Sequence, residues 1–174
     1  MDAQTRRQLV ARRLEEANGP VSASTLAREC SVSRQIIVGD VALLRAGGLN
    51  IAATPRGYMI QRSPIGLVRQ IAVQHTGGEM EAELNAIVDQ GCTVLDVIVE
   101  HPIYGQLTGP LQISNRYEVS QFIARCRQAE ALPLSRLTEG IHLHTLSCPD
   151  LEALDRVRRS LGELKILLED NTPF

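Results

Sequence analysis

The sequence predicts an α+β protein built in two parts, and three observations predict it. The first third of the chain shows helical apolar spacing interrupted by short turns. The remainder alternates strand-period and helix-period segments. The charge balance also changes sign between the two. Residues 1–62 carry 9 Arg against 5 acidic residues, a balance of +4; residues 63–174 carry 9 Arg or Lys against 15 acidic residues, a balance of −6, within an overall −2. Two domains are therefore expected, 1–62 and 63–174. The basic part suits a polyanionic partner, and the acidic part suits a different task.

Composition narrows the class further. Of the 174 residues, 44% are hydrophobic and 22% charged, which is ordinary for a soluble globular chain. With no Trp and few Phe or Tyr, the core must be aliphatic. The opening stretch "MDAQTRRQLVARRLEE" has no apolar signal region, and no long uncharged apolar run follows. A cytoplasmic protein with no membrane partner is expected. Cys30, Cys92, Cys126 and Cys148 are widely spaced without a C-x-x-C, so they read as reduced thiols.

Each element of the first part has its signal. In "TRRQLVARRLEEANG", Val10, Leu14 and Ala17 recur at i, i+4 and i+7, and Gly19-Pro20 ends the helix. A second helix starts at an N-capping serine, Ser22 or Ser24, and turns Leu26 and Ala27 inward. The stretch "CSVS" makes a tight joint around the apolar Val32. Ser33 caps a third helix, which buries Ile37, Val41 and Leu44 and ends at "AGG". Gly39 inside that helix costs about 1 kcal/mol against Ala, and would allow close approach of a neighbour. "LNIAATPRGYMIQR" then alternates around "TPRG", a hairpin signal.

Helix, short turn, helix and small hairpin make a winged helix-turn-helix. Its third helix would offer Ser33, Arg34, Gln35 and Val38 to double-stranded DNA, and Arg56 at the wing tip would reach phosphate or the minor groove. The plainer alternative is a three-helix domain that binds another protein.

In the second part, "LVRQIAVQH" reads as a strand, and "TGGEMEAELNAIVDQG" as a helix with Thr76 and Glu79 in a capping box. "CTVLDVIVEH" and "QLTGPLQIS" form a hairpin about "PIYG". "RYEVSQFIARCRQA" is a helix, and "LSRLTEGIHLHTLS" a strand or strand pair. "PDLEALDRVRRSLGELKILLED" is a closing helix with Leu154, Val157, Leu161, Leu164 and Leu168 in heptad spacing. The order predicts a C-terminal α+β sandwich with helices on one sheet.

Only four histidines occur, and His142 and His144 stand at i and i+2 of the last strand, on one face. His75 ends the first strand, and Glu83 lies in the second turn of the following helix, where packing on the sheet could bring it to the pair. Three imidazoles and a carboxylate suit a divalent transition metal: zinc, nickel, iron or manganese. Hydrogen-bonded histidines on the surface of a strand and a pH switch are the competing readings.

"VSRQIIVGDVALLRAGGLNIAATPRGYMI", "VIVEHPIYG" and "GIHLHTLS" together resemble the NiaR-type niacin-responsive repressors, which join a winged helix to a three-histidine (3H) domain. The resemblance spans almost the whole chain. It implies a homodimeric, non-enzymatic repressor of NAD-biosynthesis or niacin-uptake genes, with nicotinic acid as co-repressor. It also implies metal ligation by His75, Glu83, His142 and His144, and an effector pocket with His101 and Tyr104. Two other classes remain open at this point. One is a metal-responsive regulator. The other is a metal-dependent enzyme with Glu100 or His101 as base.

Overall fold

A computed structural model describes residues 1–62, 66–129 and 132–169. The chain divides into two compact units, Met1–Ser63 and Pro64–Phe174.

The first unit contains α1 (Ala3–Glu16), α2 (Ala23–Glu29), α3 (Arg34–Ala46), β1 (Ile51–Thr54) and β2 (Gly57–Ile60). Side-chain oxygens set each helix start, because the first backbone N–H groups of a helix have no intrahelical acceptor. Asp2 accepts from the amides of Gln4 and Thr5, each at 3.0 Å. Ser22, not Ser24, caps α2 through the Thr25 amide at 3.0 Å, and Ser33 caps α3 through Ile36 at 3.3 Å. Ser31, with φ 55°, makes the turn between α2 and α3. Val10, Leu14, Leu26, Ile37 and Val41 close the core, none more than 1% exposed. Arg6 of α1 holds the buried Asp40 of α3 with two hydrogen bonds, at 2.6 and 3.2 Å, which fixes α3 against α1. The β1–β2 hairpin pairs Ile51 with Ile60, and Val21 bridges Tyr58. Arg45 staples α3 to this wing: its Nε donates to the Ile51 carbonyl at 2.8 Å and its guanidinium lies over the Tyr58 ring.

The second unit contains β3 (Leu67–Gln74), α4 (Met80–Val88), β4 (Thr93–His101), β5 (Gly105–Ile113), α5 (Arg116–Gln128), β6 (Ile141–Cys148) and α6 (Leu151–Glu163). The sheet is antiparallel throughout, in the order β3-β6-β4-β5. One core joins it to the helices. Ile71, Val73, Val94, Ile113 and Leu146 of the sheet meet Leu84 and Ile87 of α4, Val119 and Ile123 of α5, and Leu154, Val157 and Leu161 of α6. The core is aliphatic, as the scarcity of aromatics requires. The fold is the α+β arrangement expected, with its helices packed on one sheet.

Four details differ from the sequence reading. Thr76 and Glu79 do not form a capping box: the Thr76 hydroxyl donates to the Glu79 carboxylate, and a 3-10 turn at Gly77–Glu79 precedes α4. The segment read as a strand or strand pair holds the single strand β6, and its first part is a 3-10 turn, Leu134–Thr138. The closing helix stops at Glu163, because Lys165 takes a positive φ of 60° and the chain returns along β3. There the Leu168 amide donates to the Ala72 carbonyl at 2.9 Å, and Leu167 bridges Val73. Leu164 and Leu168 are consequently exposed and belong to no heptad stripe. Finally, Gly39 has no described neighbour within 4 Å of where a side chain would stand, so none of the described residues makes the close approach. The expected domain boundary at residue 63 and the expected helix end at Asp170 lie outside the described residues.

Candidate functional site

His142 and His144 point from β6 to the same side as Leu146 and Cys148, into the layer between sheet and helices. β3 runs antiparallel to β6 and pairs Val73 with His142, which brings His75, at its end, beside the start of β6. α4 crosses above and presents Glu83. The burial is deep: Glu83 is 1% exposed, His144 3%, His142 4% and His75 8%.

All three imidazoles turn Nε2 toward the same carboxylate. His75 Nε2 lies 2.6 Å from Glu83 Oε2, and both His142 Nε2 and His144 Nε2 lie 3.3 Å from Glu83 Oε1. Neighbouring rings stand edge to face, with centroids 5.0 Å apart for His75 and His142 and 4.9 Å for His142 and His144. One ligand atom each from His75, Glu83 and His142 falls within 4.8 Å of the others.

What the other ring nitrogens do decides the chemistry. His75 Nδ1 meets the Thr76 carbonyl, His142 Nδ1 the Gly140 carbonyl at 2.9 Å, and His144 Nδ1 the Asp96 carbonyl at 2.6 Å. A carbonyl only accepts, so each Nδ1 carries a proton. In a neutral imidazole that leaves Nε2 as a bare lone pair, aimed here at carboxylate oxygens that are also lone pairs. Such contacts repel unless a proton or a metal ion lies between the two atoms, as a proton would in the 2.6 Å contact of His75 with Glu83. Glu83 Oε1 and His144 Nε2 are buried without a hydrogen-bond partner. Carbonyls that fix the tautomer and aim Nε2 are the usual support of a metal-bound histidine.

The electrostatics agree. Burial alone would lower the pKa of His75 and of His144, but the hydrogen bond of His75 to Glu83 and the charge of Glu83 beside His144 outweigh that, and both lie above the ordinary value. Burial would raise Glu83, yet the charge of His144 and the three imidazole contacts hold it well below the usual carboxylate range. Each shift is a demand for positive charge in the pocket. A divalent ion bound by three neutral imidazoles and one carboxylate fits it.

His101 and Tyr104 lie elsewhere, at the end of β4 and in the turn before β5. Their rings are tilted together at 5.0 Å, and His101 Nδ1 accepts from the amides of Ile103 and Tyr104. Tyr104 is 73% exposed and Ile103 78%. Among the described residues, no hydrogen bond, ion pair or ring contact links this pair to the histidine cluster. Glu100 hydrogen-bonds Gln106 across the hairpin at 3.2 Å and is not joined to the cluster either.

In the first unit, Arg34, Gln35 and Val38 are exposed on the first two turns of α3, with Ser33 as its cap. Arg56 occupies the turn between β1 and β2 and is half-buried, its amide donating to Thr54 Oγ1 at 3.2 Å. A model described as an HTH domain matches residues 6–59, and one described as the 3H domain matches residues 68–170. The probable transcription repressor NiaR of Thermotoga maritima is 43% identical over 167 residues, 96% of this chain and 95% of the relative.

The chain belongs to the NiaR family of transcription repressors.

The transcription repressor NadR of Bacillus subtilis is 42% identical over 161 residues, 90% of this chain and 89% of that one. As a NiaR-family member the protein is a DNA-binding repressor with an HTH domain, not an enzyme. No described helix is long and apolar enough to cross a membrane.

Sequence reasoning missed three parts of this NiaR-type chain. Gly140 and Asp96 act through their backbone carbonyls, which carry no residue signature. Ile36, 41% exposed beside Val38 on α3, was passed over as one more apolar residue of a helix; its offset from the Ile37–Val41 face was the available signal.

Proposed function

We propose that the protein is a niacin-responsive repressor in which the 1–62 domain binds operator DNA and the 63–174 domain binds a divalent transition metal and the effector. His75, Glu83, His142 and His144 would hold the metal, whether nickel, zinc, iron or manganese. The observation that carries this is the convergence of three Nδ1-anchored imidazoles on one buried carboxylate. Bound there, the ion supplies positive charge and a Lewis-acidic centre to which a ligand carboxylate is drawn.

Nicotinic acid is the effector in this reading, and genes of NAD synthesis or niacin uptake are the targets. Both rest on the family resemblance. The His101–Tyr104 pair offers an aromatic face of the kind a pyridine ring stacks on, and His101 Nε2 remains available while Nδ1 is engaged. On DNA, Arg34 and Gln35 donate to base edges or phosphates, Ser33 and Val38 flank them, and Arg56 meets the backbone from the wing. A homodimer in the cytoplasm, with two α3 helices on two half-sites, completes the proposal.

The test is operator binding by fluorescence anisotropy, using a duplex enriched from a random pool by the protein itself. Protein with metal and nicotinate should bind at least ten-fold tighter than protein with metal alone. A ligand with no preference between the two states shifts nothing. Indifference to nicotinate removes the effector. A full response to metal alone points instead to a metal-responsive regulator, a reading that the depth of the site favours.

A further inference from the structure

α3 buries Ile37, Asp40 and Val41 against its own unit. At 3.6 residues per turn, Gln35, Gly39 and Ala42 fall on the opposite side, within an arc of about 60°. All three are exposed. After Gln35 the outermost line of the helix therefore carries no side chain at Gly39 and only a methyl group at Ala42, while Ile36, Val38 and Leu43 stand exposed on its two flanks.

The glycine at the centre of that line has no internal reason to be glycine. Its φ is not positive, no backbone crowds it, and a side chain would meet nothing described within 4 Å. A mid-helix glycine lowers stability against alanine. A residue that costs stability and is not needed within the fold is explained by something outside the fold.

We propose that Gly39 is a clearance position for DNA. Without a side chain there, α3 can enter the major groove closely enough for Ile36 and Val38 to touch base edges, thymine methyl groups above all. Gln35 and Arg34 then bond the bases at the N-terminal end. The selectivity of the repressor depends on this depth, because base contacts specify while phosphate contacts only position. The inference rests on the reading of α3 as the recognition helix.

Opposite movements of two readouts test it. Gly39→Ala should raise the melting temperature by about 4 °C or more, because the new methyl is unhindered and the helix gains. The same variant should bind the enriched duplex at least ten-fold more weakly than wild type. Its affinity for an unrelated duplex, set by phosphate contacts and salt, should stay within two-fold. A stabilised Gly39→Ala protein that binds the enriched duplex as wild type does overturns the proposal. So does an equal loss on both duplexes, which would mean general damage rather than lost fit. Arg34→Ala separates the two levels. If it weakens enriched-duplex binding and Gly39→Ala does not, only the clearance idea fails. If Arg34→Ala has no effect, α3 is not the reading helix and both fall.

Discussion

Gly140→Ala should disable the histidine site from outside it. Gly140 opens β6 with φ +89°, and its backbone lies against the corner that carries His75. A side-chain carbon at Gly140 would stand 2.2 Å from the His75 carbonyl oxygen and 3.0 Å from its carbonyl carbon. Real contacts of that kind stay above 3.0 Å, so the strands must part by at least about 0.8 Å. Parting removes the hydrogen bond from the His75 amide to the Gly140 carbonyl, now 3.3 Å. It also disturbs the Nδ1 anchor of His142 on the same carbonyl. The left-handed backbone costs an L-residue about 1–2 kcal/mol, and a lost hydrogen bond about 1 kcal/mol. The expected destabilisation is therefore about 3 kcal/mol, read by urea unfolding. Metal affinity should fall by at least 10- to 100-fold, the usual effect of losing ligand-orienting groups, read by chelator competition with zinc. Gly91→Ala is the control: Gly91 has φ +77° but nothing within 4 Å of the added carbon. It shares the torsional cost without the crowding. If Gly140→Ala unfolds and binds zinc like Gly91→Ala, the close approach has no bearing on the site.

Other outcomes follow from the same geometry. Zinc or nickel should raise the melting temperature of the wild type, and Glu83→Gln should abolish that gain, since the carboxylate is the shared partner of three imidazoles; a variant stabilised as much by metal refutes that role. Ser22→Ala removes the α2 cap and should cost about 1 kcal/mol in urea unfolding, with no change in m-value. Replacing thymine by uracil in the enriched duplex should weaken wild-type binding several-fold and Val38→Ala binding much less; equal sensitivity would remove Val38 from the interface. Thiol titration at pH 8 should leave Cys92 and Cys148 unlabelled until denaturant is added, because both are buried and burial raises both thiols, Cys92 to about 12.

Which of these features the sequence disclosed follows a physical rule. Periodic burial leaves a periodic signature, so α1, α2, α3, the wing and the sheet strands were readable from apolar spacing. The i, i+2 spacing of His142 and His144 told of a shared face, and the helix following His75 made Glu83 a candidate for it. Where backbone conformation alone decides, nothing periodic is written. Lys165 enters the left-handed region and ends α6 after Glu163, although Leu164 and Leu168 continue the heptad spacing. The 3-10 turn at Leu134–Thr138 carries its two leucines, Leu134 and Leu137, at i and i+3, too short a run to set it apart from the strand that follows. The carbonyls of Thr76, Asp96 and Gly140 would be there whatever the side chains; only Gly140, through its tight approach, leaves a trace in the sequence.

The arrangement also says which contact a bound ion would govern. Its ligands would come from three elements: the end of β3, the first turn of α4 and the start of β6. β3 and β6 are already tied by a continuous antiparallel ladder from Leu67↔Cys148 to Gln74↔Ile141, so an ion adds little to their pairing. α4 has no such ladder. It is held to the sheet by Leu84, Ile87 and Val88, and by whatever neutralises Glu83. An ion at 100 times its dissociation constant adds about 2.7 kcal/mol to a state that binds it, and here that increment falls on the docking of α4. Hydrogen exchange should then show the amides of residues 80–88 slowed by zinc far more than those of β3 or β6. Uniform slowing across the unit would mean that the ion stabilises the whole fold at once and not the docking of α4 in particular.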